Sequence, residues 1–137
     1  MTCRLLLLLP MALCLHADSE KDVRDLIASA AGALSADKVE LFLDAFDKAM
    51  PDFDKLRDNV VGLTSQADVG CNIEVTSSDG DDTERTMTLD WILTFESKGA
   101  SLGTTRRQKT VKCRLKKTGK KWRIVAFEPL DLFASPS

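Results

Sequence analysis

Residues 104–127 read TTRRQKTVKCRLKKTGKKWRIVAF, with ten positive charges and no acid. Before the turn Lys117-Thr118-Gly119-Lys120, Val111, Cys113 and Leu115 alternate with Lys112, Arg114 and Lys116. After it, Trp122, Ile124 and Ala126 continue the same period of two. Alternation around a short Gly-containing turn is the pattern of a β-hairpin with one buried face. Taking Thr118-Gly119 as a two-residue loop pairs Leu115 with Trp122, Cys113 with Ile124, Arg114 with Arg123 and Lys116 with Lys121.

The period of two extends upstream. Val69, Cys71, Ile73 and Val75 alternate with polar residues, the turn cluster Ser77 to Asp82 follows, and Met87, Leu89, Trp91, Leu93 and Phe95 form another alternating run. Ahead of these strands the spacing is helical. Ser19 and Asp22 resemble a capping box before Val23, Leu26, Ile27, Ala30 and Ala31. Val39, Phe42, Leu43, Phe46 and Met50 make a second helix stopped by Pro51, and Asp52 opens a third carrying Phe53, Leu56, Val60 and Leu63. Helices first and strands second predict an α+β fold, with N-terminal helices packed on a curved antiparallel four-stranded meander.

Matching apolar faces sets Cys113 opposite Leu89, and Leu89 opposite Cys71. The two thiols then lie two strand spacings apart, about 10 Å, beyond the roughly 7 Å Cα separation a disulfide spans. Both are expected to be reduced core residues, with no disulfide. The same register places Arg107 opposite Phe95, Lys109 opposite Leu93, Lys112 opposite Asp90 and Arg106 opposite Glu96.

The first residues read as an address. Arg4 precedes the apolar stretch Leu5 to Leu15, and Leu15-His16-Ala17 offers a loose small-residue cleavage site. The expectation is a signal peptide over 1–17 and one domain over 18–137. The protein would then be exported, periplasmic or secreted, with no transmembrane segment after cleavage. Lipid anchoring at Cys14 is the alternative, against which Leu13 counts. Removing 1–17 takes Cys3, Cys14 and the single His, His16, and the chain has no Tyr.

The three helices, the long meander and the closing Gly119-Lys120-Lys121-Trp122-Arg123-Ile124 resemble the nuclear transport factor 2-like superfamily, from about Glu20 to Phe133. The resemblance is to an exported bacterial member of unknown function. It implies a strongly curved sheet around helices, leaving a conical pocket. It does not imply one activity, because the family holds isomerases, dehydratases, cyclases and non-catalytic members.

Without His or Tyr after residue 17, a Tyr oxyanion donor, an Asp-His pair and a His-activated nucleophile are all excluded. A carboxylate hidden in the cone is what an enzyme would have to use. Glu74, Asp90 and Glu96 fall on the outer parity of the strands, and Asp44 and Asp47 on an amphipathic helix. No catalytic residue, metal site or cofactor is expected, and the inventory leans away from an enzyme. Two features remain. Trp91 and Phe95 share the inner parity with Arg107 and Lys109, a set suited to the head of an apolar anion. On the outer face Arg114, Lys116, Lys121 and Arg123 form a basic patch for an anionic envelope or protein partner; nucleic acid is not expected. The leading expectation is thus an exported non-enzymatic domain that binds a small apolar or anionic ligand or a protein partner. The alternatives are an isomerase- or cyclase-type enzyme and a structural envelope module with a filled cone.

Overall fold

A computed structural model describes residues 2–98 and 104–134, with side chains from Asp18 onward. The elements run α1 (Thr2–Ser35), α2 (Val39–Asp44), α3 (Phe53–Gln66), β1 (Ala67–Gly80), β2 (Glu84–Ser97), β3 (Thr104–Thr118), β4 (Lys121–Glu128) and a closing 3-10 turn, Leu130–Phe133. The leader and lipid-anchor readings rest on side chains outside the described set. The four strands form one antiparallel meander in the order β1-β2-β3-β4, so the fold is α+β as expected. Among the described residues no helix is long and apolar enough to cross a membrane.

In α1, Val23, Ile27, Ala30, Ala31 and Leu34 are buried at spacings of three and four, the stripe that packs a helix on a sheet. The helix runs through Ser19, so that residue is no cap; its Oγ instead donates to Asp82 Oδ1 at 2.7 Å, tying α1 to the β1–β2 turn. The second helix is shorter than its apolar spacing predicts. After Asp44 the backbone turns toward the sheet: Asp47 N–H donates to the Ile124 carbonyl and Ile124 N–H to the Ala45 carbonyl, both at 2.8 Å. Phe46 thereby forms an isolated bridge beside β4. The third helix forms as read, burying Phe53, Leu56, Val60 and Leu63.

Strand parity is as expected through most of the sheet, but the register is not. Cys113 lies opposite Met87 rather than Leu89, a slip of two residues that keeps every β2 and β3 side chain on its predicted face. Arg107 therefore faces Leu93, Lys109 faces Trp91, Lys112 faces Thr88 and Arg106 faces Thr94. In β1, Val75 and not Cys71 faces Leu89, and an irregularity between Val75 and Ser77 reshapes the strand's end. At the last hairpin Thr118 pairs with Lys121, so the loop is Gly119-Lys120, one place later than read. Gly119 makes this turn at φ 64°, the left-handed region where glycine is unstrained. A bulge at Val125 then sets Leu115 opposite Ile124 but Arg114 opposite Ala126. Beyond the bulge the parity reverses: Phe127 is buried, and Ala126, expected inside, is only half-buried.

The helices and the sheet enclose an aromatic interior. Phe42, Phe46, Trp91, Phe127 and Phe133 form a connected cluster with ring centroids 5.1–5.8 Å apart, several of them edge-on. Phe133, from the closing turn, is fully buried and touches Phe42, Trp91 and Phe127. The chain's own C-terminal residues fill the cone.

Candidate functional site

The four residues proposed for an anionic ligand come together only in part. Trp91 and Phe95 are buried core, 1% and 4% exposed. The Arg107 guanidinium stands 5.1 Å over the Phe95 ring, as cation–π geometry requires. One of its terminal nitrogens, however, is already engaged. Nη1 donates to the carbonyls of Leu132 at 2.7 Å and Ala134 at 2.9 Å, one of its two hydrogens shared with the Asp131 carbonyl at 3.3 Å. Arg107 therefore clamps the end of the closing turn, satisfying carbonyls that a helix terminus leaves unpaired. Lys109 is exposed despite its inner parity. Its position explains this: β4 ends at Glu128, opposite Lys112, so the first half of β3 is a sheet edge from which a long side chain reaches water. Charges along an unpaired edge also discourage strand addition.

The outer basic patch is thinner than the hairpin reading implied. With the loop at Gly119-Lys120 and the bulge at Val125, Arg114 no longer faces Arg123, nor Lys116 Lys121. Between β3 and β4 the one like-charge pair is Lys116 opposite Arg123. Arg114 Nε lies 3.4 Å from Glu84 Oε1, and Glu84 is also the cross-strand neighbour of Lys116. Arg123 shares a shallow cleft with Asp44 and Asp47. Asp90, expected to pair with Lys112, accepts instead from the Gln108 amide at 2.9 and 3.0 Å. Glu96, expected opposite Arg106, accepts from the Thr104 hydroxyl at 2.9 Å.

Neither thiol is placed for chemistry. Cys71 faces Leu93 and Cys113 faces Met87, six residues apart along β2, about 20 Å of strand rise. Both are free, Cys113 buried and Cys71 only half-buried. Burial pushes the Cys113 thiol up to about 12, with a backbone hydrogen bond at Met87 opposing it. Burial also raises the pKa of Cys71, opposed by Trp91 and Ser35. Trp91 Nε1 makes no hydrogen bond of good geometry, so its link to Cys71 is a weak, soft contact. Reactive cysteines need the opposite shift. Among the described residues the buried polar side chains are Ser19, Thr64 and Arg85, and no carboxylate is among them. No cluster there could hold a metal ion. Asp81 serves the β1–β2 turn: its Oδ1 accepts from the N–H groups of Thr83 and Glu84, both at 2.9 Å, and these bonds hold its pKa down.

The open concavity lies outside the cone. A groove of about 550 Å³ runs between α1 on one side and α2 with the β3–β4 turn on the other. Leu26, Ala30 and Ala33 line the α1 wall, and Leu41 and Trp122 lie across it. Asp22 and Asp25 stand on α1, Lys120 and Lys121 on the turn. The volume is in the range of ligand sites, roughly 300–1,000 Å³. Two details set it apart from ordinary surface. Leu41 is 57% exposed, one of the two large apolar side chains so exposed among the described residues. Trp122 is 7% exposed, and its Nε1 is buried without a hydrogen-bond partner. Buried indole N–H groups usually have one. The periodicity of α1 gives its core stripe, but only the docking of β4 reveals that Leu26 and Ala33 border a groove.

No family model matches the chain, and no curated protein sequence does. Solved structures do. A conserved protein from Planctomyces limnophilus superposes with a TM-score of 0.71 at 6% identity, covering 81% of this chain and 93% of that one. A putative aromatic ring hydroxylase from Novosphingobium aromaticivorans gives 0.65 at 12% identity, covering 81% and 87%. A protein of unknown function with a cystatin-like fold from Nostoc punctiforme gives 0.55 at 18%, covering 79% and 86%. At such identities the likeness is one of fold, and activity does not follow from it.

Proposed function

We propose that this chain is a non-catalytic binding domain of the nuclear transport factor 2-like kind, exported to the cell envelope. It engages an apolar group, from a small ligand or a protein partner, in the groove beside α1. One contrast carries the reading: the cone is filled by Phe133 and its aromatic neighbours, while the groove stands open beside the exposed Leu41. The lack of a buried carboxylate among the described residues weighs against an enzyme. The ring hydroxylase resemblance therefore lends its fold and not its chemistry. Export is supported by Arg4, the apolar run Leu5 to Leu15 and Ala17.

The test is native mass spectrometry of the protein purified from its own envelope, beside a Leu41→Asp variant. The reading expects a mature chain beginning near Asp18 and a retained molecule or partner that the variant loses. A bare wild-type chain, or equal retention by the variant, would remove the groove from consideration. The filled cone alone also favours a second reading, a structural envelope module, and that reading expects Leu41→Asp to have no effect at all.

A further inference from the structure

Beyond Glu128 the chain leaves the sheet, since Pro129 has no N–H with which to extend the β4 ladder. Over residues 104–111, β3 therefore has a neighbouring strand on one side only. We infer that this open edge, a surface apart from the groove, takes up an extended acidic segment of a partner protein as an added strand. The backbone is ready for it. Pairing with β2 runs from Thr104 to Lys116 without irregularity, and no backbone hydrogen bond joins the edge to the closing turn among the described residues. Alternate N–H and C=O groups along the edge thus point away from β2 with no strand to receive them. The opposite edge is treated differently: α1 packs on β1, and Ser35 Oγ accepts from the Cys71 N–H at 3.2 Å.

Side-chain chemistry selects the partner. Thr104, Thr105 and Thr110 suit an extended ladder. Arg106 and Lys109 are exposed and stand on opposite faces of the strand. Neither has a carboxylate within ion-pair distance among the described residues. Cations on an edge keep neutral and basic strands away, and they favour a strand that sets carboxylates opposite them. A second copy of this edge would bring Arg106, Arg107 and Lys109 against their own kind. Glu96 at the Thr104 end and Glu128 beside Lys112 confine the attraction to the middle of the edge. The fitting segment carries two acids three residues apart, one for Arg106 and one for Lys109, with β-branched residues around them. A nucleic acid or a lipid headgroup would neutralise the charges but leave the alternating backbone donors and acceptors unmatched.

The probe is a fluorescein-labelled peptide, Thr-Val-Glu-Thr-Val-Glu-Thr, added to the full chain at low ionic strength. Its fluorescence polarisation should rise saturably, and less so at high salt. Arg106→Glu with Lys109→Glu should weaken binding at least about tenfold. Both side chains are exposed, so the double variant should keep the wild-type circular dichroism and melting temperature. Replacing both acids of the peptide by lysine should restore binding to that variant. Amide exchange should slow at alternate residues of 104–110 when the peptide binds, and the same peptide with every central N–H methylated should not bind. Absence of saturable binding would overturn the inference. So would equal binding of the methylated peptide, which would mean that charge alone holds it. Protection along α1 instead would assign the peptide to the groove, and protection of 104–110 that grows with protein concentration alone would assign the edge to a second copy; either result overturns the inference.

Discussion

The interior of the cone and the groove beside α1 are both floored by a tryptophan of the same sheet, yet they have opposite character. Around Trp91 the protein supplies every neighbour itself: Phe127 and Phe133 meet it edge-on, and Arg107 fixes the backbone that carries Phe133. Around Trp122 it supplies a floor and two walls but no cover, with Leu41 exposed beside them. A folding core fills its space because voids are costly. A surface left unsaturated beside an exposed leucine is where association gains most. In this chain the space inside the cone is core, and the open concavity lies on the helical flank.

Substitutions on the two sides of this comparison should behave differently. The largest effect belongs inside: Phe133→Ala should cost about 3–5 kcal/mol, the range for removing a buried aromatic, read as a fall in the urea midpoint. Arg107→Ala should cost about 1.5–3 kcal/mol, since it deletes charged donors to the closing turn. Amide exchange should show the loss concentrated in residues 130–134. A uniform loss of protection would mean that Arg107 acts through general charge and not as a clamp.

Alkaline pH probes the interior a third way. The Cys113 thiol is raised from 9.0 to about 12 in the folded state. Its neutral form therefore contributes stability that is complete below about pH 9 and is lost as pH rises toward the folded value. Denaturation at pH 7 and pH 10 should show this slope, and Cys113→Ala should flatten it. Cys71, half-buried, should be alkylated faster than Cys113 at pH 8. On the groove side the stability effect should nearly vanish: Leu41→Asp should shift unfolding by no more than about 0.5 kcal/mol while removing retention of the bound molecule or partner. The smallest effect is at the β1–β2 turn. The depressed pKa of Asp81 stabilises the fold above its unfolded value and is lost as pH falls through the folded one. Asp81→Asn should accordingly reduce the acid-range slope slightly.

Much of the architecture was legible because apolar parity survives errors of register. Slipping β2 against β3 by two residues leaves Leu89, Trp91, Val111, Cys113 and Leu115 on the inner face, so the buried set emerged correctly from a wrong pairing. Charge pairs do not share this tolerance. Arg114 and Arg123 were set face to face by a turn read one residue early, and by a bulge at Val125 that leaves no compositional trace. The site was harder still. Arg107 was assigned to the inner parity near Phe95, but its partners are carbonyls more than twenty residues away, and no local pattern encodes them. The groove depends on where α1 and α2 sit relative to the β3–β4 turn, a tertiary relation that no single periodicity carries.

The chain has two tryptophans and so two indole N–H resonances, one for the cone and one for the groove. Following both while benzyl alcohol is added tests the central contrast directly. The account predicts that the Trp122 resonance moves saturably and that the Trp91 resonance stays fixed. A saturable shift of Trp91, with Trp122 unmoved, would place the accessible pocket back inside the cone and contradict it.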